Sequence, residues 1–247
     1  SFEFYRNGEW LTKERTGYGY TIAGSEYHNT LALQNEVVDP IDQYDWRYPL
    51  LENGGQWLYD SNDPPGGQIL AVSITADFVY ALGDATALYN AAYMAADQVL
   101  HASRSIIWLK PDVVVTYDRA TSQQDGYFKR YWLQLPQDVE IEGNRSTMTT
   151  ANGQMLYITT LLPTDAEIGS EAALPLDGEP GYNDPIQFRL KVEAPGGPAD
   201  VRFLHVLQGA DSGTEALATQ TITSTAGTPY EGALVGTTVV LFPVSLD

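Results

Sequence analysis

The sequence predicts an all-β fold, a large antiparallel β-sandwich formed by the whole chain. Two observations predict it: most of the chain consists of alternating or β-branched runs, and turn residues separate these runs about every 10–15 residues. The 247 residues and the hydrophobic content of 43% are enough for one large core. We therefore predict a single domain over residues 1–247, with two large antiparallel sheets and at most one or two short helices.

The two predicted hairpins have the strongest local signals. Asn7-Gly8 separates two alternating runs within residues 2–11, which is typical of a tight hairpin. Residues 105–121 are two apolar, β-branched runs around Lys110-Pro111-Asp112, so residues 105–118 are predicted to form a central hairpin. The other runs with a strand pattern are 27–34, 69–82, 127–135, 153–163, 186–194, 201–209, 218–225 and 237–246.

Three stretches depart from the strand pattern. Residues 83–100 are rich in Ala and contain Asp84 near their start, a residue that caps helices well, so they predict a helix of about three turns. Residues 39–67 and 164–185 are rich in Pro, Gly and Asp and are predicted to be long loops. Long ordered loops often carry function, although they also serve as plain surface connections.

The charge of the chain excludes several classes of partner. The formal net charge is −19, and Lys and Arg form no cluster, so we expect neither nucleic acid nor a membrane as a partner. No run of about 18 apolar residues is present that could span a membrane. The absence of Cys excludes disulfides and thiolate metal sites. Because the chain starts with Ser1 inside a strand-like run, we expect it to begin within a domain.

Common catalytic motifs are absent from the sequence. There is no G-x-S-x-G motif, no catalytic Cys and no phosphate-binding Gly-rich loop. With 32 acidic residues, a facing pair of carboxylates would arise by chance and carries no signal. Aromatic side chains in the first predicted loop could stack on sugar rings or fill a core: Tyr44, Trp46, Tyr48, Trp57 and Tyr59.

The chain has three histidines, and one of them is a candidate metal ligand. His28 opens the predicted strand at 27–34, and Glu14 precedes it across a turn-rich stretch, so neighbouring strands could bring the two together. A zinc site needs three or four ligands, and no third ligand is visible in the sequence. His101 and His205 stand in apolar contexts that favour core or supporting roles. A lone His at the start of a strand is also commonly structural, so both interpretations of His28 stay open.

Several segments, taken in order, resemble the C-terminal β-sandwich of heparinase II/III-like polysaccharide lyases. The family has a "G-x-W-L-x-x-D-x-G-Y"-like strand followed by a His-Asn-Thr motif. These correspond here to the stretch from Gly8 to Glu14 and to His28-Asn29-Thr30. Residues 101–122 resemble the family's Arg, paired strands and Asp, and later strands also match in character. The resemblance covers residues 1–210 and depends on the order of the motifs.

This resemblance implies a large supersandwich preceded by an α/α-toroid domain. In such lyases the toroid and a His-x-His strand carry β-elimination at a uronic acid, and the cleft between the domains binds an acidic polysaccharide. A zinc ion is held by a His of that strand, an Asp and the His of His-Asn-Thr. By this resemblance His28 is the metal His, and Glu14 stands where the Asp is expected. The toroid and the first strand would precede Ser1, so we expect no catalytic residue in this chain and an incomplete zinc site.

Two hypotheses of function follow. In the first, the chain is the sandwich portion of a periplasmic or secreted bacterial polysaccharide lyase and is inactive alone. In the second, it is a stand-alone carbohydrate-binding or structural sandwich without catalysis. The expected partner is an acidic polysaccharide or oligosaccharide. A homodimer is also expected, because a sandwich without its neighbouring domain exposes apolar surface and a strand edge.

Overall fold

The computed structural model describes residues 1–15, 24–35, 53–56, 66–90, 97–175 and 184–246. These ranges form strands and two short 3₁₀ turns, at Ser25–Tyr27 and Thr86–Tyr89. No helix in the described part of the chain is long and apolar enough to span a membrane. The strands in chain order are β1 Phe4–Arg6, β2 Glu9–Thr12, β3 Leu31–Leu33, β4 Gln68–Ile74, β5 Phe78–Asp84, β6 Val99–Leu109, β7 Val113–Ser122, β8 Lys129–Leu135, β9 Val139–Glu142, β10 Arg145–Thr149, β11 Gln154–Leu162, β12 Glu167–Ala172, β13 Phe188–Glu193, β14 Asp200–Asp211, β15 Thr219–Thr223, β16 Tyr230–Val235 and β17 Thr238–Pro243.

These strands form three stacked sheets and one separate hairpin, and the all-β sandwich fold is confirmed. The largest sheet has eight strands in the order β4-β5-β6-β7-β14-β11-β10-β9. A four-stranded sheet has the order β12-β13-β8-β3, and a three-stranded sheet has the order β15-β16-β17. The β1–β2 hairpin completes the described strands. Every neighbouring pair is antiparallel.

The main core lies between the eight-stranded and the four-stranded sheets. Val114 and Phe203 of the large sheet share one buried cluster with Tyr131, Leu133 and Leu190 of the smaller sheet. These side chains come from alternate positions of their strands, since successive residues of a strand point to opposite faces. The period-2 pattern of the sequence therefore corresponds to this core.

A second core covers the opposite face of the large sheet. Val115 and Tyr117, the alternate residues of β7, pack against Val240 and Phe242 of the three-stranded sheet. The Tyr117 and Phe242 rings stack with their centroids 5.1 Å apart. Because β7 is covered on both faces, almost all its residues are buried. This third layer adds to the two sheets that the sequence predicts.

Both predicted hairpins form. Asn7 and Gly8 have φ values of 46° and 89° between β1 and β2, as a two-residue turn with two left-handed positions requires. Residues 105–118 belong to the β6–β7 hairpin, whose strands are the third and fourth of the eight. Its prediction as a central hairpin is confirmed.

The predicted helix over residues 83–100 is wrong in the described residues. Asp84 ends β5 instead of beginning a helix, although its carboxylate accepts a hydrogen bond from Thr86 N at 2.8 Å. A single 3₁₀ turn follows, and β6 begins at Val99. Tyr89 is buried and donates to Leu31 O, so tertiary contacts override the helix propensity of Ala. Residues 91–96 lie outside the described residues.

The predicted loop over residues 164–185 is wrong in its first half. Residues Glu167–Ala172 form β12, which pairs along its whole length with β13 at the edge of the four-stranded sheet. The strand has no strong alternation, because it is an edge strand in which three residues are exposed, three are partly buried and none is fully buried. Most of the other predicted loop, residues 39–67, lies outside the described residues, as do Tyr44, Trp46, Tyr48, Trp57 and Tyr59.

Candidate functional site

Glu14 and His28 lie in direct contact. Glu14 follows the end of β2. His28 directly follows the 3₁₀ turn at Ser25–Tyr27, so it does not open a strand as the sequence predicted. His28 Nδ1 is 2.5 Å from Glu14 Oε2, and Asn29 N donates to Glu14 Oε1 at 2.9 Å. The side chain of His28 is 30% exposed and that of Glu14 is 18% exposed. The pair therefore sits at the surface of the sandwich, where a ligand could reach the imidazole.

Asn29 fixes the backbone beside His28. Its side chain is fully buried, donates from Nδ2 to Phe2 O at 2.8 Å and accepts at Oδ1 from Gln134 N at 2.7 Å. These two bonds tie the segment to the start of the chain and to β8. The Asn of the His-Asn-Thr motif thus fixes the backbone next to His28 through these two hydrogen bonds.

Arg104 and Asp118 form a buried ion pair next to this segment. They face each other in the β6–β7 register, with Arg104 Nε at 2.6 Å and Nη2 at 2.9 Å from the two oxygens of Asp118. Arg104 Nη1 also donates to Asn29 O at 2.6 Å. Burial by itself lowers the pKa of Arg104, but the charge of Asp118 raises that pKa above its ordinary value. The guanidinium is therefore a fixed cation that links the large sheet to the His28 segment.

A cavity of about 250 Å³ adjoins Arg104 on the β4 side. Its polar lining includes Thr30, Gln56, Asp84, Ser103 and Asp118. Hydroxyl, amide and carboxylate groups of this kind bind the hydroxyl groups of a ligand, and the apolar part of the wall gives contact area. The cavity suits a small polar ligand or one residue of a longer one.

Comparison with known proteins shows likeness in structure only. No protein-family model matches the sequence, and no curated protein matches it. The solved structure of heparan sulfate lyase HepC from Pedobacter heparinus matches with a TM-score of 0.67 and 14% identity, over 99% of this chain and 36% of that one. A heparinase III gene product matches with a TM-score of 0.68 and 10% identity, over 98% of this chain and 36% of that one. A further heparinase III structure matches with a TM-score of 0.64 and 14% identity, over 97% and 34%.

The chain has the fold of part of heparinase III. It spans only 34–36% of the length of these lyases, while nearly all of its own length is matched. The fold class and the order of motifs in the sequence therefore agree with the structural likeness. At identities of 10–14% the likeness establishes the fold and not the activity.

The described residues of this heparinase III fold do not provide a complete set of zinc ligands. The described ranges contain no group of three His, Cys, Asp or Glu side chains that could hold a metal ion. Both carboxylate oxygens of Glu14 already accept hydrogen bonds, one in contact with His28. A carboxylate that orients a histidine in this way is also typical of the groups that surround a metal ligand without binding the metal.

The two other histidines have structural positions. His205 is fully buried on β14, where Thr160 contacts its Nδ1 at 3.2 Å and the Tyr131 ring lies 4.0 Å away. Burial lowers the pKa of His205 to about 3, so the ring is neutral. His101 contacts Ser103 Oγ through Nε2 at 2.8 Å and is half-buried on β6. Neither histidine lies in the contact between Glu14 and His28.

Glu26 is a candidate site residue that no sequence motif indicated. It is 8% exposed and accepts a hydrogen bond from Asn53 at 2.9 Å, and its other oxygen has no hydrogen-bond partner among the described residues. Burial raises the pKa of Glu26. Arg189 and Gln134 both donate to its backbone carbonyl, and each of these side chains also has an unpartnered buried atom. In the sequence, the position of Glu26 two residues before His28 is the one feature that could have indicated a role at this site.

Proposed function

We propose that this chain is the β-sandwich portion of a heparinase II/III-like polysaccharide lyase that cleaves uronic-acid-containing polysaccharide by β-elimination. The observation that carries the proposal is the contact between Glu14 and His28 beside the Arg104–Asp118 pair. The family's motifs select Glu14 and His28, and Arg104 and Asp118 lie in the stretch 101–122 that resembles the family's Arg, paired strands and Asp. The fold, matched over 97–99% of the chain, supports the same assignment.

The chain is expected to be inactive by itself. β-Elimination needs a base near the proton next to the uronate carboxylate, a group that neutralises this carboxylate, and an acid for the leaving oxygen. The Arg104 guanidinium, which lines the cavity, is already neutralised by Asp118. His28 contacts Glu14 and is not among the residues that line the cavity. The described residues therefore contribute binding and positioning, and the residues that move protons belong to another part of the parent protein.

Glu14 and His28 are proposed as two donors of an incomplete zinc site. Zinc accepts imidazole nitrogen and carboxylate oxygen, but a closed site takes four ligands. Two donors give weak binding unless water or a residue outside the described ranges adds to them. Bound zinc would supply a positive charge next to the substrate, and the residues of this chain would only hold it in position.

The expected ligand is an acidic oligosaccharide, and the expected location is the periplasm or the cell exterior. Local groups decide the binding, so a net charge of −19 does not prevent it. The same net charge and the lack of a basic cluster argue against nucleic acid or an anionic membrane as partners.

The test of this function is binding of heparan sulfate oligosaccharides to a variant with a filled cavity. Gly83 lines the cavity, and a Cβ added there meets Gln68 and Ile69 only at ordinary contact distances of 3.6 and 3.7 Å. We expect Gly83→Val to lower the affinity about tenfold, measured by isothermal titration calorimetry. Gly169→Val in β12 is the matched control, because a Cβ added there meets no atom within 4 Å and Gly169 does not line the cavity.

Equal binding by wild type, Gly83→Val and Gly169→Val would contradict the cavity as the saccharide site. Formation of unsaturated uronate product by the isolated chain, followed by ultraviolet absorbance, would contradict the inactive role. Absence of any oligosaccharide binding would favour the alternative function, a structural or interaction sandwich without catalysis. That alternative draws support from the incomplete set of metal donors among the described residues.

A further inference from the structure

Glu14 and His28 both lie outside the strands, so no strand ladder holds them against each other. β2 ends at Thr12, before Glu14, and β3 begins at Leu31, after His28. Connecting segments are more mobile than the strands they join, so a contact between two of them needs other bonds to keep one geometry. The groups that fix these two segments therefore decide the geometry of the candidate site.

Arg15, the residue directly after Glu14, joins the two segments through its backbone. Its N–H donates to the carbonyl of Tyr27 at 3.2 Å, and Tyr27 directly precedes His28. The two residues of this bond are thus the covalent neighbours of the two residues of the contact. A shift of the backbone at Arg15 therefore moves Glu14 relative to His28.

The side chain of Arg15 is fixed by a buried ion pair. Its Nε donates to Asp184 Oδ2 at 2.7 Å, and its Nη1 donates to Leu174 O at 2.9 Å. The other oxygen of Asp184 accepts from Ile186 N at 3.0 Å. The side chains of Arg15 and Asp184 are only 6% and 5% exposed. These bonds anchor the segment of Glu14 to the chain that leads into β13.

Such an ion pair is a weak source of stability and a strong source of geometry. Taking two charges out of water can cost more free energy than their attraction returns, and apolar side chains of similar size often stabilise a protein as well. The directional bonds of a guanidinium, in contrast, fix the position of the backbone that carries it. No other ion pair of the described residues has both side chains so deeply buried. A positioning role therefore explains this pair better than a stabilising role.

We propose that Arg15 and Asp184 are positioning residues that hold Glu14 against His28. Asp184 fixes the guanidinium, the guanidinium fixes the backbone of Arg15, and that backbone sets the distance between the two segments. The inference deepens the proposed function and rests on it in one respect, the assignment of Glu14 and His28 as zinc donors. The positioning itself concerns their contact and is tested without zinc.

Nuclear magnetic resonance of the His28 ring tests the positioning at one fixed pH. The ¹⁵N chemical shifts of the two ring nitrogens report which of them carries the proton and is hydrogen-bonded, and His28→Gln assigns the signals. Asp184→Asn keeps the shape of the side chain and removes its charge, so we expect the His28 shifts to change. Glu193→Gln is the matched control, because it removes the charge from the Arg130–Glu193 pair, which joins β8 to β13 and includes neither segment.

Two further variants separate positioning from stability. Arg15→Met combined with Asp184→Leu replaces the ion pair by apolar side chains, so its melting temperature should stay near that of the wild type while the His28 shifts still change. Arg15→Lys keeps the positive charge, but an ammonium group lacks the planar fork that bonds Asp184 and Leu174 together. We expect Arg15→Lys to change the His28 shifts less than the double variant does, and it decides the case if the other variants fail to fold.

Zinc titration by calorimetry gives the second readout. Asp184→Asn and the double variant should bind zinc about tenfold more weakly than the wild type, as is typical when the groups that orient a metal ligand are lost. A wild type that binds no zinc would contradict the zinc assignment of the proposed function, while the ring shifts would still decide the positioning. Unchanged His28 shifts in the folded variants of Arg15 and Asp184 would overturn the inference. Changes of the same size in Glu193→Gln would overturn it as well.

Discussion

At the scale of single residues, Glu14 organises the candidate site through both carboxylate oxygens. One oxygen contacts His28 Nδ1 and the other accepts the backbone N–H of Asn29. Asn29 is in turn held by Phe2 O and Gln134 N. The imidazole is therefore oriented by a chain of bonds that reaches the core, as a metal ligand or a substrate-binding group requires.

Zinc binding is the first prediction at this scale. We expect the isolated chain to bind zinc weakly and His28→Ala to bind it at least tenfold more weakly, because the imidazole is the strongest donor of the pair. Isothermal titration calorimetry measures both. His101→Ala serves as the control, since His101 contacts Ser103 and lies outside the pair.

Two results would contradict this assignment. Equal heats from the wild type and His28→Ala would mean that His28 is not a ligand. Tight binding by the wild type would mean that a third protein donor completes the site, against the expectation of an incomplete one.

His205 gives a prediction for stability against pH. Burial lowers its pKa from 6.5 to about 3, so between these values the unfolded chain binds a proton that the folded chain does not. The stability due to the neutral ring is thus fully present above pH 6.5 and is lost as the pH falls toward 3. The loss is at most about 1.4 kcal/mol per pH unit.

The measurement compares urea unfolding of wild type and His205→Gln at several pH values. The variant lacks the titrating ring, so the difference in unfolding free energy between the two proteins should shrink as the pH falls below 6.5. A difference that stays constant from pH 7.5 to pH 4.5 would refute the prediction.

At the scale of elements, the β1–β2 hairpin depends on its turn. Gly8 has a φ of 89°, and a Cβ added there meets no atom within 4 Å. Gly8→Ala therefore changes only the backbone energy, and we expect a loss of about 1 kcal/mol in unfolding free energy. Gly169→Ala in β12, where φ is not positive and space is also open, should cost nothing or stabilise slightly. Equal losses from both variants, measured by urea unfolding, would exclude turn strain as the cause.

The same scale explains the two wrong element predictions. The conformation of residues 83–90 is set by two side chains. Tyr89 is buried and donates a hydrogen bond to Leu31 O, and the side-chain amide of Asn90 hydrogen-bonds to both the N–H and the C=O of Val99. These contacts join positions far apart or across a turn, so helix propensity does not decide the conformation. β12 forms because its backbone hydrogen-bonds to β13 along its whole length, although its own residues carry little strand signal.

At the scale of the whole molecule, the two cores share their central strands. β7 contributes Val114 to one core and Val115 to the other, and β14 likewise contributes to both. The layers should therefore unfold together. We expect Phe242→Ala, in the outer core, to lower the unfolding free energy by about 3–5 kcal/mol.

Circular dichroism and tryptophan fluorescence, followed during urea unfolding, measure this cooperativity. Both signals should move together in the wild type and in Phe242→Ala. Val239→Ala is the control, because Val239 is 51% exposed on the opposite face of β17, and its effect should stay within about 0.5 kcal/mol. Separate transitions for the two signals would show that the three-stranded sheet is an independent unit.

The sequence by itself determined what depends on local pattern. Alternation with a period of two predicted the strands, Asn7-Gly8 predicted the first turn, and the apolar runs around Lys110-Pro111-Asp112 predicted the central hairpin. Order of motifs was enough to associate the chain with the heparinase sandwich and to select Glu14 and His28. The strand and turn signals each lie within a few residues and reflect backbone sterics or the exclusion of apolar side chains from water, whereas the order of motifs is a resemblance along the chain.

Tertiary structure alone decided what depends on distant partners. It determined that Glu14 contacts His28 directly, that Glu26 is buried beside Arg189, and that a third sheet covers Tyr117. It also placed β4 at one end of the large sheet, where all seven of its residues are exposed and β5 is its neighbour among the described strands. Such features arise when strands far apart in sequence pair and stack, because the energy of burying one face depends on which face is placed against it.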